Sequence, residues 1–245
     1  MQIRSLFPTA VGVDSVPTRI HYAFKEAFTE NAMKHVLKNG QTGEDYGMID
    51  MHLDPHFKPI MNYVHDRFIE YLDTFNVNTS MYDINYVKAW MQVLREYETP
   101  KHTHADSMYT WIYYINVPKN PLTNKLLCVE NPIASMSPHM NNSNEGYPTM
   151  FSYLKDEDSN EFNTIVETFE TPEGTFLIMP AHLKHWTVPA QGERSYDEQP
   201  PVKNIVSLKK NRICIAGDIM LSYKEEHARG KSMGMQPVSR WLTYK

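Results

Sequence analysis

From residue 19 to residue 40, apolar side chains return at roughly helical spacing: Ile20, Phe24, Phe28 and Met33, with polar and charged residues between them. That pattern predicts an amphipathic helix over 19–40, stopped by Asn39-Gly40. A second helix is expected over 56–76, carried by Ile60, Val64, Phe68 and Leu72, with Pro59 in its first turn. From residue 84 the period changes to two. Alternating runs rich in β-branched and aromatic residues predict strands over 84–98, 107–118, 125–131, 161–170, 174–180 and 212–223. Polar stretches at 136–148 and 194–204 read as connections. Helices followed by irregularly spaced strands imply a mainly β chain with flanking helices, either a β-sandwich or a jelly roll.

Length and composition narrow this further. A chain of 245 residues suits one domain. We divide it into helical support (1–80), a β core (81–223) and a charged tail (224–245) expected to be partly mobile. The two cysteines, Cys128 and Cys214, sit in apolar strand-like runs, where cysteine acts as a small buried hydrophobe. A reducing, cytoplasmic setting is therefore expected, without a disulfide scaffold. The first residues lack an apolar stretch of signal-peptide length, and no run is long enough to span a membrane. Net charge is −5, and the one basic cluster, Lys209-Lys210-Asn211-Arg212, is too short for a nucleic-acid-binding face. Neither a membrane nor a nucleic acid is expected as a partner. Nothing in the pattern compels a homodimer, although two-fold dimers are the commonest oligomers.

The candidate chemistry lies in the histidines. His102, His104 and Asp106 follow one another at steps of two, just before a strand. In an extended segment, residues i and i+2 point the same way, so His104 and Asp106 can present an imidazole and a carboxylate to one point. A further ligand would come from the second pair, His182 and His185, which follows the strand at 174–180. Two histidines and one carboxylate on one face of a metal leave three positions open, the arrangement of non-haem iron(II) oxygenases. His102 in place of His104, and His182 in place of His185, remain as alternatives. Asp106 beside Ser107 also fits a plain turn.

The segments WMQVLREYETPKHTHADSMYTWIYYINVP, PEGTFLIMPAHLKHWTVP and RICIAGDIMLSY together resemble the 2-oxoglutarate/Fe(II) oxygenases, especially the prolyl-4-hydroxylase-like branch. The opening SLFPTAV resembles oxygenases of this type from bacteria and tailed phages. The resemblance implies a double-stranded β-helix (jelly roll). It also implies a dioxygenase that uses O2, with Fe(II) and 2-oxoglutarate, to hydroxylate a C–H bond on a prolyl or other protein side chain or on a small molecule. By position it makes His104, Asp106 and His185 the iron ligands, and it assigns Tyr114 and Arg212 to 2-oxoglutarate. Arginine suits that role because its planar fork matches a carboxylate. Arg194 lies at the family's usual distance from the last histidine, but SYDEQPP after it cannot form a central strand, so Arg212 is preferred.

Two other classes stay open. A cupin-type metalloprotein would share the sandwich and use the H-T-H pair without 2-oxoglutarate. A non-catalytic β-sandwich, such as an adaptor, would bind neither metal nor co-substrate.

Overall fold

A computed structural model describes residues 9–39, 50–94, 99–119, 125–132, 166–189, 212–227 and 242–244. Helix α1 runs Thr18–Asn39 and α2 runs Lys58–Asp73. Helix α2 buries Ile60, Val64, Phe68 and Leu72 along one stripe, as the spacing predicts, and Pro59 lies in its first turn. In α1 the stripe is rotated by one residue. His21, Phe24 and Phe28 are buried, while Ile20 is 39% exposed. The cause is polar: the His21 Nδ1 lies 2.6 Å from the Tyr113 hydroxyl and its Nε2 lies 3.0 Å from Glu173 Oε1, so a histidine takes the inward position. Met33 is outside the side chains described.

Nine strands are described: β1 Gly12–Ser15, β2 Tyr82–Leu94, β3 Tyr109–Asn116, β4 Lys125–Glu130, β5 Val166–Glu170, β6 Thr175–Pro180, β7 His185–Pro189, β8 Arg212–Tyr223 and β9 Leu242–Tyr244. They form two antiparallel sheets, a larger one in the order β1-β6-β3-β8-β2-β9 and a smaller one in the order β5-β4-β7. The chain is mainly β with flanking helices, arranged as a jelly roll. Both edge strands of the larger sheet come from segments that the sequence pattern does not mark as strands. Gly12–Ser15 pairs with β6, and Leu242–Tyr244, near the end of the expected tail, pairs with β2. The first five positions of the strand expected at 161–170 and the connections at 136–148 and 194–204 lie outside the described residues.

The larger sheet is apolar on both faces, which explains the long runs of buried residues in β3 and β8. One face packs on the helices through Tyr86, Met91, Trp111, Ile178 and Ile215. The other faces the smaller sheet through Ile112, Leu177, Met179 and Ala216, which cluster with Leu127 and Val129 of β4. Each large side chain buried this way contributes about 1.5–3 kcal/mol relative to exposure. A bulge in β2 between Tyr86 and Lys88 decides what the inner face carries. Before it, Ile84 and Tyr86 face the helices; after it, Ala89 and Met91 do. The extra residue reverses the alternation and turns Trp90 and Gln92 into the space between the sheets. No helix among the described residues is long and apolar enough to cross a membrane.

Candidate metal centre

The short segment before β3 carries two histidines into the mouth of the sandwich. His102 exchanges backbone hydrogen bonds with His185 at the start of β7 (3.1 and 3.0 Å), and the His104 N–H donates to the Ala181 carbonyl at 2.9 Å. These bonds hold 102–104 extended, so the side chains two apart share a direction. The chain turns at 105–106, and the alternation ends there. His102, His104 and His185 each offer a ring nitrogen, and these atoms lie within 4.8 Å of one another. The Nε2 atoms of His104 and His185 are 3.3 Å apart.

Hydrogen bonds behind each ring decide what faces the centre. His102 Nδ1 donates to the Pro100 carbonyl at 2.7 Å, and His185 Nδ1 donates to the Leu183 carbonyl at 2.9 Å. His104 Nδ1 donates to Asp218 Oδ1 at 2.7 Å. A carbonyl only accepts, so Nδ1 carries the proton and Nε2 is left with a lone pair. Burial lowers the His102 pKa and takes that of His185 down to about 4, with the neighbouring imidazoles adding to the effect, so both rings are neutral near pH 7. The Nε2 atoms of His104 and His185, 3.3 Å apart, are held together favourably either by a proton on one of them or by a metal cation bound to both. The donor set therefore fits a divalent metal: three imidazole nitrogens, each ring oriented by a partner behind it.

Asp218, on the inner face of β8, is almost fully buried and bonded to His104 on one oxygen and to Lys88 Nζ on the other at 2.9 Å. Burial works against its carboxylate, but the hydrogen bonds and charges of His104 and Lys88 outweigh this and hold its pKa below the usual range. Trp90 covers the His104 ring, with centroids 5.7 Å apart and planes tilted by 28°. Lys88 Nζ lies 5.0 Å from the centre of the Trp90 ring.

Deeper between the sheets stands Arg212, the first residue of β8 and 1% exposed. It donates Nη2 to Thr171 Oγ1, and its guanidinium carbon lies 4.6 Å from the centre of the Tyr114 ring. Its Nε and Nη1 have no partner among the described residues. A buried guanidinium without an anion is costly, so this is a place where a carboxylate would be favoured. Burial raises the Tyr114 hydroxyl to about 12, leaving it a protonated donor beside the arginine. One cavity of about 420 Å³, counted to its open mouth, touches the three histidines, Trp90, Gln92 and Tyr114.

No family model and no curated protein matches the chain. Solved structures do. A non-haem alpha-ketoglutarate-dependent carbocyclase from nogalamycin biosynthesis, SnoK, superimposes with a TM-score of 0.53 at 9% identity, over 97% of this chain and 92% of that one. The fold is that of the 2-oxoglutarate/Fe(II) oxygenases. The epimerase SnoN (TM-score 0.49, 12% identity, 95% and 93% covered) and a Pseudomonas putida prolyl-4-hydroxylase (0.48, 10%, 86% and 92%) are also similar in outline.

On this oxygenase fold, the residues singled out from sequence fall as follows. His104 and His185 come together at the centre, and Tyr114 and Arg212 come together deeper in the same interior. Asp106 does not join them. It is exposed on the turn at 105–106 and is absent from the converging group, and His102 takes the expected third place. The rule of alternation applies one step earlier than expected, because the chain turns after His104. His182 is exposed and is not part of the converging group. Arg194 lies outside the described residues. Asp218 was not anticipated, although a carboxylate inside the apolar run RICIAGDIML needs a partner once buried, and that was the available signal.

Proposed function

We propose that this chain is an Fe(II)- and 2-oxoglutarate-dependent dioxygenase that hydroxylates a C–H bond. The observation that carries the proposal is the pairing, inside one interior, of three converging imidazole nitrogens with a buried arginine whose Nε and Nη1 have no partner among the described residues. His102, His104 and His185 would hold the iron, and Arg212 with Tyr114 would receive the distal carboxylate of 2-oxoglutarate. Three protein ligands would leave room on the iron for a chelating 2-oxo acid and dioxygen. Dioxygen would be the four-electron oxidant, with two electrons coming from oxidative decarboxylation of the 2-oxo acid to a carboxylic acid and CO2 and two from the C–H bond that is hydroxylated.

The protein's own contributions follow from the geometry. The carbonyls of Pro100 and Leu183 and the Asp218 carboxylate keep the three rings as Nδ1–H tautomers. Trp90, Ile112 and Leu127 line the interior with apolar surface and limit water there. Arg212 fixes which end of a diacid enters first. A prolyl-containing peptide is the first substrate to screen, on the resemblance to the prolyl-4-hydroxylase-like branch.

One observation favours a second reading. A three-histidine group without a carboxylate also suits a cupin-type metalloprotein that needs no 2-oxoglutarate. Thermal unfolding of metal-free protein, kept anaerobic, separates the two. Iron(II) or manganese(II) should raise the midpoint, 2-oxoglutarate should raise it further, and Arg212→Met should lose only the second rise. A ligand at a hundred times its dissociation constant stabilises by about 2.7 kcal/mol, well within reach of the measurement. A metal response with no response to 2-oxoglutarate in the wild type hands the site to the cupin-type reading. No response to either leaves a β-sandwich without this chemistry.

A further inference from the structure

Asp218 lies on β8, 114 residues from the histidine it touches, and its position has no explanation in the packing of the sheet. A carboxylate with a side chain 2% exposed is expensive to bury, and an apolar residue would fill the place more cheaply. Both oxygens are occupied by donors: Oδ1 by the His104 ring and Oδ2 by Lys88. Lys88 faces inward only because the β2 bulge precedes it. The ring of His104 is further confined by stacking contacts with Trp90 and with His185, the latter nearly parallel at 19°.

Of the three rings, His104 is the one whose tautomer depends on a side chain. His102 and His185 each bond a backbone carbonyl two residues upstream, a contact that the local chain supplies by itself. His104 depends on an element brought from elsewhere in the fold.

We propose that Asp218 is a positioning residue for the metal centre: it holds His104 as the Nδ1–H tautomer and aims the Nε2 lone pair at the point shared with His102 and His185. By accepting the Nδ1–H hydrogen bond, its carboxylate also strengthens the Nε2 of His104 as a donor. Lys88 anchors the far oxygen and fixes the carboxylate's rotation. The inference rests on the metal-binding reading above and deepens it. The carboxylate of this centre sits behind a histidine, on β8, and not at Asp106.

The test has two arms, run on wild type, Asp218→Asn, Asp218→Ala and Lys88→Met. In the first, nitrogen-15 spectra of the metal-free protein report which ring nitrogen of His104 carries the proton. Wild type should show Nδ1–H alone, and Asp218→Ala should show a mixture of tautomers. Asp218→Asn, which keeps the volume, should show a mixture too, because an amide cannot accept from both His104 and Lys88. Lys88→Met should keep the wild-type tautomer, since the bond to His104 survives. In the second arm, cobalt(II) is titrated and its visible absorption is followed. Both Asp218 variants should bind about 10–100-fold more weakly than wild type, with a changed spectrum. An unchanged His104 tautomer together with wild-type cobalt affinity in both Asp218 variants overturns the proposal. If wild type takes up no cobalt, the metal-binding reading fails by itself, and the tautomer arm still decides the role of Asp218.

Discussion

Among single residues, the direction of donor atoms decides what the centre can hold. His102 and Asp106 are both two positions from His104, yet one is brought to the centre and the other faces solvent. His102→Ala should therefore abolish the rise in unfolding midpoint on adding manganese(II), and Asp106→Ala should leave it within a degree of wild type. The opposite outcome would restore the aspartate as a ligand. Acid should act through His185. Its folded pKa of about 4 lies below the ordinary value near 6.5, so the unfolded chain takes up this proton first. That contribution to stability is present above pH ~6.5 and is lost as pH falls toward about 4. Urea midpoints of the metal-free protein should decline across that window, and His185→Gln should flatten the decline. The identities of these residues were legible in the sequence. Their orientation was not, because it depends on a turn at 105–106 and on hydrogen bonds made from other strands.

In the elements, the strands that build the interior meet where one of them has no side chain. Gly217 on β8 pairs directly with Trp111 on β3, and a Cβ at Gly217 would lie 2.6 Å from the indole. Trp111 is fully buried against the helices and has nowhere to retreat. Gly217→Ala should cost about 1–3 kcal/mol of overpacking strain, read as a lower urea midpoint with unchanged slope. The two long helices were legible because a 3.6-residue period survives single exceptions such as His21 for Ile20. The bulge in β2 was not, since no residue type at Tyr86–Lys88 marks it. A strict alternation carried through β2 from Ile84 would have turned Trp90, Gln92 and Lys88 toward the helices and emptied the site of them. The short edges β1 and β9 were missed for a related reason: three or four residues carry too little pattern to declare a strand.

For the whole molecule, the larger sheet divides the labour. One face buries the helices and carries the main apolar core, and the other closes on the smaller sheet around the site. The chain's end completes the larger sheet at β9. There Tyr244 stacks on His65 with centroids 4.1 Å apart and donates its hydroxyl to Asn62. Tyr244→Ala should lower stability by about 1 kcal/mol in chemical denaturation while the response to metal is unchanged, because this contact lies on the helix side of the sheet. The sequence by itself determined the helix-then-strand order, the mainly β class and the set of histidines, arginine and tyrosine from which a centre could be made. These depend on local periodicity and residue chemistry, which each segment carries alone. Only the tertiary structure decided which members of that set meet. His104 and His185 are 81 residues apart in the chain, and Asp218 comes to His104 from 114 away. Their convergence is set by strand register, a bulge and a turn, and one residue's shift in any of these sends a side chain to the opposite face.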